Sequence, residues 1–320
     1  MIVVKGLSKY FQETAAVQDI SFEVKKGETL VLLGTSGSGK TTTLRMINRL
    51  LEPSSGQIFI DGQHALSQSG ETLRRSIGYV LQHNGLFPHY TVAENIGIVP
   101  RLLGWGKARI KERTWELLLK LHLDPEEVAD RYPRALSGGQ QQRVGLARAL
   151  AAEPPILLMD EPFGSLDPVT RASIRKEFVD LDELNQKTIV MVTHDIEEAF
   201  ELGDKICLMD RGRIQQIGTP AELLLNPANG FVRNFFGSER LVLEMKALHV
   251  ADIWDRLGTG VDELTCRGRH IDAIARLWTV TQELIEGPSE CLLVKIGNEE
   301  KVITLQDIFN AIKHLKANLG

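Results

Sequence analysis

The sequence predicts an α/β fold with a helical insertion and a second, smaller α/β unit, and three features predict it. Apolar runs of strand length, Leu30–Leu33, Ile156–Met159 and Thr188–Thr193, each end in polar or glycine-rich sequence, as buried strands of a layered α/β domain do. Between His83 and Leu150 the period changes: Ile110, Thr114, Leu117, Leu118 and Leu121 recur at three- and four-residue spacing with Lys and Glu between them. The breakers Asn226-Pro227, Asn229-Gly230 and Gly237-Ser238 then mark a boundary, beyond which strand and helix patterns resume. A chain of 320 residues exceeds the usual ~150 per domain, so two domains are expected, 1–236 and 240–320.

Composition narrows the class. Apolar residues at 43% and charged residues at 25% are those of a water-facing globular protein. A formal charge of −5 and no Lys/Arg block disfavour a nucleic-acid partner, whose phosphates need clustered cations. The N-terminus lacks a basic segment followed by an apolar stretch, and no run approaches the ~18 apolar residues of a membrane span, so a cytosolic location is expected. Cys207, Cys266 and Cys291 lack metal-ligand spacing and are expected to be reduced packing residues.

In chain order, Ile2–Gly6 and Ser21–Val24 read as strands, with Tyr10 and Phe11 between them either filling core or offering a platform for a planar ligand. Leu30–Leu33 leads into Gly34-Thr35-Ser36-Gly37-Ser38-Gly39-Lys40-Thr41-Thr42 and then a helix to Leu51. Strand, G-x-x-x-x-G-K-[ST] and helix form the phosphate-loop pattern in its required context. Glycines allow successive N–H groups to face phosphate oxygens, Lys40 reaches the terminal phosphates, and the Thr41 hydroxyl ligates Mg²⁺. Further strands are Gln57–Ile60 and Ile77–Leu81, the latter ending in Gln82. The loop Leu86–Tyr90 carries large groups that either form a contact surface or fold inward.

Leu136-Ser137-Gly138-Gly139-Gln140 precedes a helix from Gln141 to Ala151, so Ser137 is placed as an N-cap at a second anion-receptive helix start. Ile156–Met159 ends in Asp160-Glu161, two carboxylates that are costly to bury without a cation or water. Asp160 is placed to hold Mg²⁺ and Glu161 to polarise a water. Thr188–Thr193 ends in His194. One histidine at a strand end is as a rule structural, but neighbouring strand ends here carry the phosphate loop and the carboxylates. In the tail the expected order is strand 261–265, helix 270–281, strand 290–296, strand 301–304 and helix 305–315.

The ordered set GTSGSGKTT, Gln82, LSGGQ, ILLMDEP, SLD and THD resembles the ATP-binding cassette (ABC) ATPases of ABC transporters over roughly residues 1–236. The resemblance implies a phosphate-loop core with an antiparallel β subdomain and a helical subdomain near 83–150. It places Phe11 as the adenine-stacking aromatic, Tyr10 less so; Gly34, Ser36, Gly37, Ser38, Gly39, Lys40, Thr41 and Thr42 around the triphosphate; and Thr41, Gln82 and Asp160 at Mg²⁺. It makes Glu161 the base, His194 the γ-phosphate switch, and Gln82 the link to the attacking water and membrane subunit. Ser137, Gly138, Gly139, Gln140 and Asp167 would serve the opposite subunit of a head-to-tail dimer closed on ATP. Membrane-spanning permease subunits and, indirectly, a substrate-binding protein are the further partners implied, with the ATPase peripheral on the cytoplasmic face of the membrane.

The segments GLFPHYTVAENI, RYPRALSGGQQQRVGLARALAAEPPILLMDEPFGSLDPVTR and NPANGFVRNFFGSERL resemble, more narrowly, the ATPases of bacterial importers of glycine betaine, choline, carnitine and related amines. Relatives often carry two tandem CBS repeats after the cassette. The tail here has room for about one such unit, so its ligand sensing is in doubt and pairing across a dimer is its expected use. Competing readings are a soluble ABC ATPase of nucleic-acid repair or translation, or an importer subunit for another small solute.

Overall fold

The computed structural model describes residues 1–82, 85–237, 240–257, 270–287, 290–297 and 299–317, with 315–317 described by backbone alone. The chain divides into two compact units, Met1–Gln215 and Gln216–Gly320. The sequence boundary was placed at 236–240; by contacts 216–237 goes with the second unit, where Ala221 and Leu225 pack on its core.

The first unit opens with β1 (Ile2–Phe11) and β2 (Thr14–Val24), antiparallel, with Ile2 opposite Val24 and Phe11 opposite Thr14. Both strands run longer than the alternation suggests. Register shifts between Val4 and Tyr10 break the two-residue period while pairing continues. After β3 (Thr29–Gly34) and α1 (Lys40–Ile47), the strands β4 (Ser55–Ile60) and β5 (Gln63–His64) complete a four-stranded sheet of order β2-β1-β4-β5. Every pairing in it is antiparallel.

The second sheet holds the core. Between α2 (Gly70–Arg75) and the helical insertion comes β6 (Ile77–Val80). The insertion comprises α3 (Val92–Ile96), α4 (Ile98–Leu102), α5 (Lys107–Lys120) and α6 (Pro125–Val128), with α7 (Gly138–Leu150) after it. Thr114, Leu117, Leu118 and Leu121 are buried, as the spacing predicts. Then follow β7 (Ile156–Asp160), α8 (Pro168–Val179), β8 (Thr188–Thr193), α9 (Ile196–Leu202), β9 (Lys205–Asp210) and β10 (Arg213–Gly218), which crosses the division between units. The order is β10-β9-β3-β8-β7-β6, and β9, β3, β8, β7 and β6 pair in parallel. Parallel strands covered on both faces must be apolar throughout, which is why β3, β7 and β8 are almost wholly buried. Parallel pairing also puts Gly34, Gln82, Asp160 and His194 at one edge, beyond the strands' carboxyl ends.

A buried ionic network ties α5 to the 3₁₀ turn Asp182–Leu184. Arg113 pairs with Glu183 and donates to the Leu150 carbonyl, while Lys120 Nζ lies 2.8 Å from Glu183 Oε2. Burial pushes the Glu183 carboxyl up, but hydrogen bonds from Arg113 and Lys120 outweigh it and hold the group below its ordinary value. The folded state therefore binds the Glu183 proton more weakly than the unfolded chain does. Its stabilisation is complete above the ordinary glutamate value and is lost as pH falls through the depressed one. Glu183→Gln leaves the buried Arg113 with Glu116, at 2.8 Å, as its remaining carboxylate, and about 2 kcal/mol of stability should go with the lost charged hydrogen bond. Thermal melting of the variant at neutral pH checks this; an unchanged melting temperature would show the network to be idle.

The second unit contains α10 (Pro220–Leu225), α11 (Gly230–Phe235), α12 (Arg240–Ala247), a 3₁₀ segment Val250–Arg256, β11 (His270–Asp272), α13 (Leu277–Glu286), β12 (Cys291–Ile296), β13 (Glu299–Thr304) and α14 (Leu305–Ala317). Its sheet has the order β11-β12-β13 over a core of Leu248, Val250, Ile253, Leu277, Val294 and Ile303. Two expectations need correction. The helix placed at 270–281 begins only at Leu277, because His270–Asp272 pairs in parallel with Leu293–Lys295 and becomes a strand. Of the three cysteines, Cys207 is free and its thiol is pushed up by complete burial, whereas Cys291 is disulfide-bonded rather than reduced. The strand expected at 261–265, and Cys266, lie outside the described residues.

Candidate active site

The phosphate loop is folded by contacts that only glycine permits at two positions. Gly34 has φ 153°, and a Cβ there would stand 2.1 Å from the Met209 carbonyl oxygen. At Gly39, φ 99°, a Cβ would stand 2.5 Å from the Ala16 carbonyl oxygen on the β1–β2 hairpin. Gly39 is the N-cap of α1 and supplies no side-chain cap, and the first turn holds no acidic residue, so its amide N–H groups remain open to an anion. Ser36 and Gly37 are exposed at the rim, Ser38 is buried beneath, and Thr41 and Thr42 are half-buried on the first helical turn. Lys40 is buried; its Nζ donates to the Gly34 and Thr35 carbonyls, each at 2.8 Å, which holds the ammonium over the loop. Burial lowers its pKa, and Glu161 and Asp160 oppose that shift.

Four strand ends meet beside this loop. Asp160, 2% exposed at the end of β7, accepts the Thr41 hydroxyl at 2.8 Å through Oδ1. Burial raises the pKa of its carboxyl, with the Thr41 hydrogen bond and Arg45 acting in opposition. Glu161 follows with φ 46°, in the left-handed region that a non-glycine residue enters at a cost. That turn leaves its Oε2 3.0 Å from Gln82 Nε2 and 3.2 Å from His194 Nδ1. Strands β6, β7 and β8 thus deliver Gln82, Glu161 and His194 to a single carboxylate oxygen.

A second group stands apart. Ser137 is the N-cap of α7: its hydroxyl accepts from Gln140 N at 3.3 Å, and the Gln140 side chain accepts from Ser137 N at 2.9 Å. This is a capping box rather than the Schellman-type link the two glycines could otherwise have formed. Gly138 is exposed and Gly139 half-buried against α8. Asp167 caps α8, accepting from Thr170 N at 3.0 Å, and those hydrogen bonds lower its pKa. Among the described residues, none of Ser137–Gln140 shares a hydrogen bond with Gly34–Thr42. Phe11 and Tyr10 are both 49% exposed, which removes the core-filler alternative for each.

A sequence profile described as ABC transporter matches residues 17–164. A glycine betaine/carnitine/choline transport ATP-binding protein of Bacillus subtilis is 54% identical over 76% of this chain and 64% of its own length. The glycine betaine uptake system ATP-binding protein YehX of Escherichia coli is 51% identical over 79% of this chain and 82% of its own length. The chain belongs to the ABC transporter ATP-binding family. A dimeric ATP-binding cassette, solved in a post-hydrolysis state with ADP and phosphate, aligns over 68% of this chain and 98% of its own at TM-score 0.61 and 35% identity. The cassette described here spans 64% of the length of the two Bacillus subtilis relatives it matches, the second a choline transport protein.

In the cassette the donor set suits a hard divalent cation. Among the described residues no cluster of three His, Cys, Asp or Glu could hold a metal alone. One carboxylate, Asp160, and one hydroxyl, Thr41, already hydrogen-bonded, suit Mg²⁺ completed by water and phosphate oxygens. Sequence reasoning missed Thr193 and Glu198, whose side chains close the turn that carries His194. The Thr193 hydroxyl donates to buried Glu198 at 2.5 Å and accepts from Asp195 N at 3.0 Å. The signal was present: Asp195-x-x-Glu198 before an apolar run is a helix-start pattern.

Proposed function

We propose that this chain is the ATP-hydrolysing subunit of an importer for osmoprotectants such as glycine betaine, choline or carnitine. It works as a head-to-tail pair of copies on the cytoplasmic face of the membrane, beneath permease subunits that a substrate-binding protein supplies. The observation that carries the hydrolytic reading is the convergence of Gln82 and His194 on one oxygen of Glu161, next to Lys40 and the Thr41–Asp160 pair. The solute reading is supported by the identity with transport subunits whose names specify those amines.

The residues divide the work as follows. Phe11 stacks on the base, and the amides of Gly34, Ser36, Gly37, Ser38, Gly39, Thr41 and Thr42 with the Lys40 ammonium hold the triphosphate. Thr41, Asp160 and, through water, Gln82 would hold Mg²⁺, which when bound offsets charge on the terminal phosphates. Glu161 takes the proton of a water that Gln82 orients, and its backbone turn fixes where that water can stand. His194 holds the γ-phosphate from the opposite side. Ser137, Gly138, Gly139 and Gln140 of the second copy close over the same phosphate, with Asp167 facing across the interface. Loss of the γ-phosphate removes the charge that two helix N-termini share, and the pair opens.

A groove of about 390 Å³ is lined by Leu50, Tyr79, Phe87, Val99, Arg148 and Leu81, the residue before Gln82 in the chain. Phe87 is 50% exposed there; its loop is stapled by Asn95, whose amide donates to the Phe87, Tyr90 and Thr91 carbonyls. An apolar floor beside the water-orienting glutamine suits a permease segment. Among the described residues no helix is long and apolar enough to cross a membrane, so the translocation path is assigned to those subunits. The test is uptake of labelled glycine betaine, choline and carnitine in cells lacking the gene. Loss of at least one uptake, restored by the wild-type gene and not by Lys40→Ala, is expected; full uptake of all three would overturn the solute assignment.

A further inference from the structure

Tyr10 and Phe11 are equally exposed at the end of β1, so exposure does not choose between them as a platform for the base. Their surroundings do. Lys9 Nζ stands over the Phe11 ring, 5.3 Å from its centroid and within cation–π reach. Among the described residues the Tyr10 ring has no such contact with a cation or a second ring. The Lys9 ammonium is itself held, donating to the Glu52 carbonyl at 2.7 Å in the segment that follows α1. That segment pins the strand around it as well: Tyr10 N donates to Ser54 Oγ at 3.1 Å, and Ser54 N to the Ser8 carbonyl at 2.8 Å.

The hairpin that carries Phe11 also touches the phosphate loop. Phe11 pairs with Thr14, and two residues further on the Ala16 carbonyl oxygen lies where a Cβ on Gly39 would come within 2.5 Å of it. A half-exposed ring at a hairpin end is free to turn about its side-chain bonds, and ordering it when a ligand arrives costs free energy. A fixed cation over the ring removes part of that cost in advance. It also covers one face and leaves the other open. By drawing π density toward itself it makes the open face a better match for an electron-rich purine.

We propose that Lys9 is a positioning residue for nucleotide binding, which holds Phe11, and not Tyr10, as a one-sided platform for the purine base. This rests on the reading of Phe11 as the residue that stacks on the base of ATP. Lys9 and Lys40 then serve opposite ends of the nucleotide. The Lys40 ammonium lies over the phosphate loop, whereas that of Lys9 is committed to the Glu52 carbonyl and the ring. Its contribution therefore goes to the base and leaves the grip on phosphate as it is.

The test measures Kd by isothermal titration on the purified full-length chain, for ATP and for inorganic tripolyphosphate, which has the phosphates and no base. Lys9→Met keeps the aliphatic stem and removes the ammonium. Its Kd for ATP should rise about two- to fivefold, while tripolyphosphate binds as it does to wild type, which also shows that the loop is folded. Lys9→Arg returns a cation to the ring and should restore ATP binding. Phe11→Ala should raise the Kd for ATP by about 5–150-fold. Adding Lys9→Met to it should change nothing further, because the ring through which Lys9 acts is gone. Tyr10→Ala should leave ATP binding unchanged. An ATP affinity untouched by Lys9→Met would overturn the proposal, as would a loss that persists without Phe11 or that tripolyphosphate shares. In each of those cases a weakened Phe11→Ala variant would leave the stacking reading standing. Full ATP affinity in Phe11→Ala would instead bring down both, and a loss in Tyr10→Ala beside it would move the platform to Tyr10.

Discussion

Glu161→Gln is expected to lower ATP turnover by about 10²–10⁴-fold, the range a positioned general base supplies, while ATP remains bound. Glutamine keeps the size of the side chain and a carbonyl oxygen facing Gln82, so the partnership at 3.0 Å can persist. What it loses is the negative charge proposed to accept the water's proton, which lies 3.2 Å from His194 Nδ1. With cleavage stopped, the γ-phosphate proposed to hold two copies together would not be removed. The variant should therefore elute as an ATP-dependent dimer in size-exclusion chromatography where wild type elutes as monomer after turnover. Hydrolysis at the wild-type rate would take the role of base away from Glu161, and some other group would have to be found at the same strand ends.

Lys40→Ala is the second large effect, and it acts on binding before chemistry. Hydrogen bonds to charged groups contribute about 1.5–3 kcal/mol each, so losing one such contact to a phosphate should raise the Kd for ATP by roughly 10–150-fold. The chain without nucleotide responds differently. Burial already lowers the Lys40 pKa, which means folding disfavours the charged form. Removing the ammonium relieves that cost and gives up hydrogen bonds to Gly34 and Thr35. The two oppose each other, and the melting temperature without ATP should move by less than about 4 °C. Isothermal titration and melting on one preparation separate the two; unchanged affinity would contradict the loop assignment, and a large fall in melting temperature would make Lys40 a structural residue.

Much of the site was legible because its residues lie at strand ends, where apolar periodicity stops and the next polar residue is conspicuous. Gln82, Glu161 and His194 lie just past the end of a buried run, and Asp160 is the polar residue that closes one. The tail was less legible. Ile271, Ile274, Leu277 and Trp278 follow a helical spacing, yet His270–Asp272 is a strand because β12 offers it a parallel ladder. Helix α11 fell in the stretch read only as a boundary, and α12, with Leu243 and Met245 buried, in a part of the second domain that was given no element. The disulfide at Cys291 had no spacing signature to announce it.

By itself the sequence determined which residues are chemically equipped: a loop that can face phosphate, a hydroxyl and carboxylate suited to Mg²⁺, a second helix start with a serine cap, and a family in which these occur together. Local patterns suffice for that, since a cap, a glycine turn and a strand end are decided within a few residues. Tertiary structure alone decided that Gln82 and His194, far apart in the chain, share one oxygen of Glu161, and that Glu161 reaches it through a left-handed backbone turn. It also decided that Arg143, Arg171 and Arg175 bind three helices together. Those facts depend on strand order and helix packing, and long-range geometry of that kind leaves no periodicity in the chain that carries it.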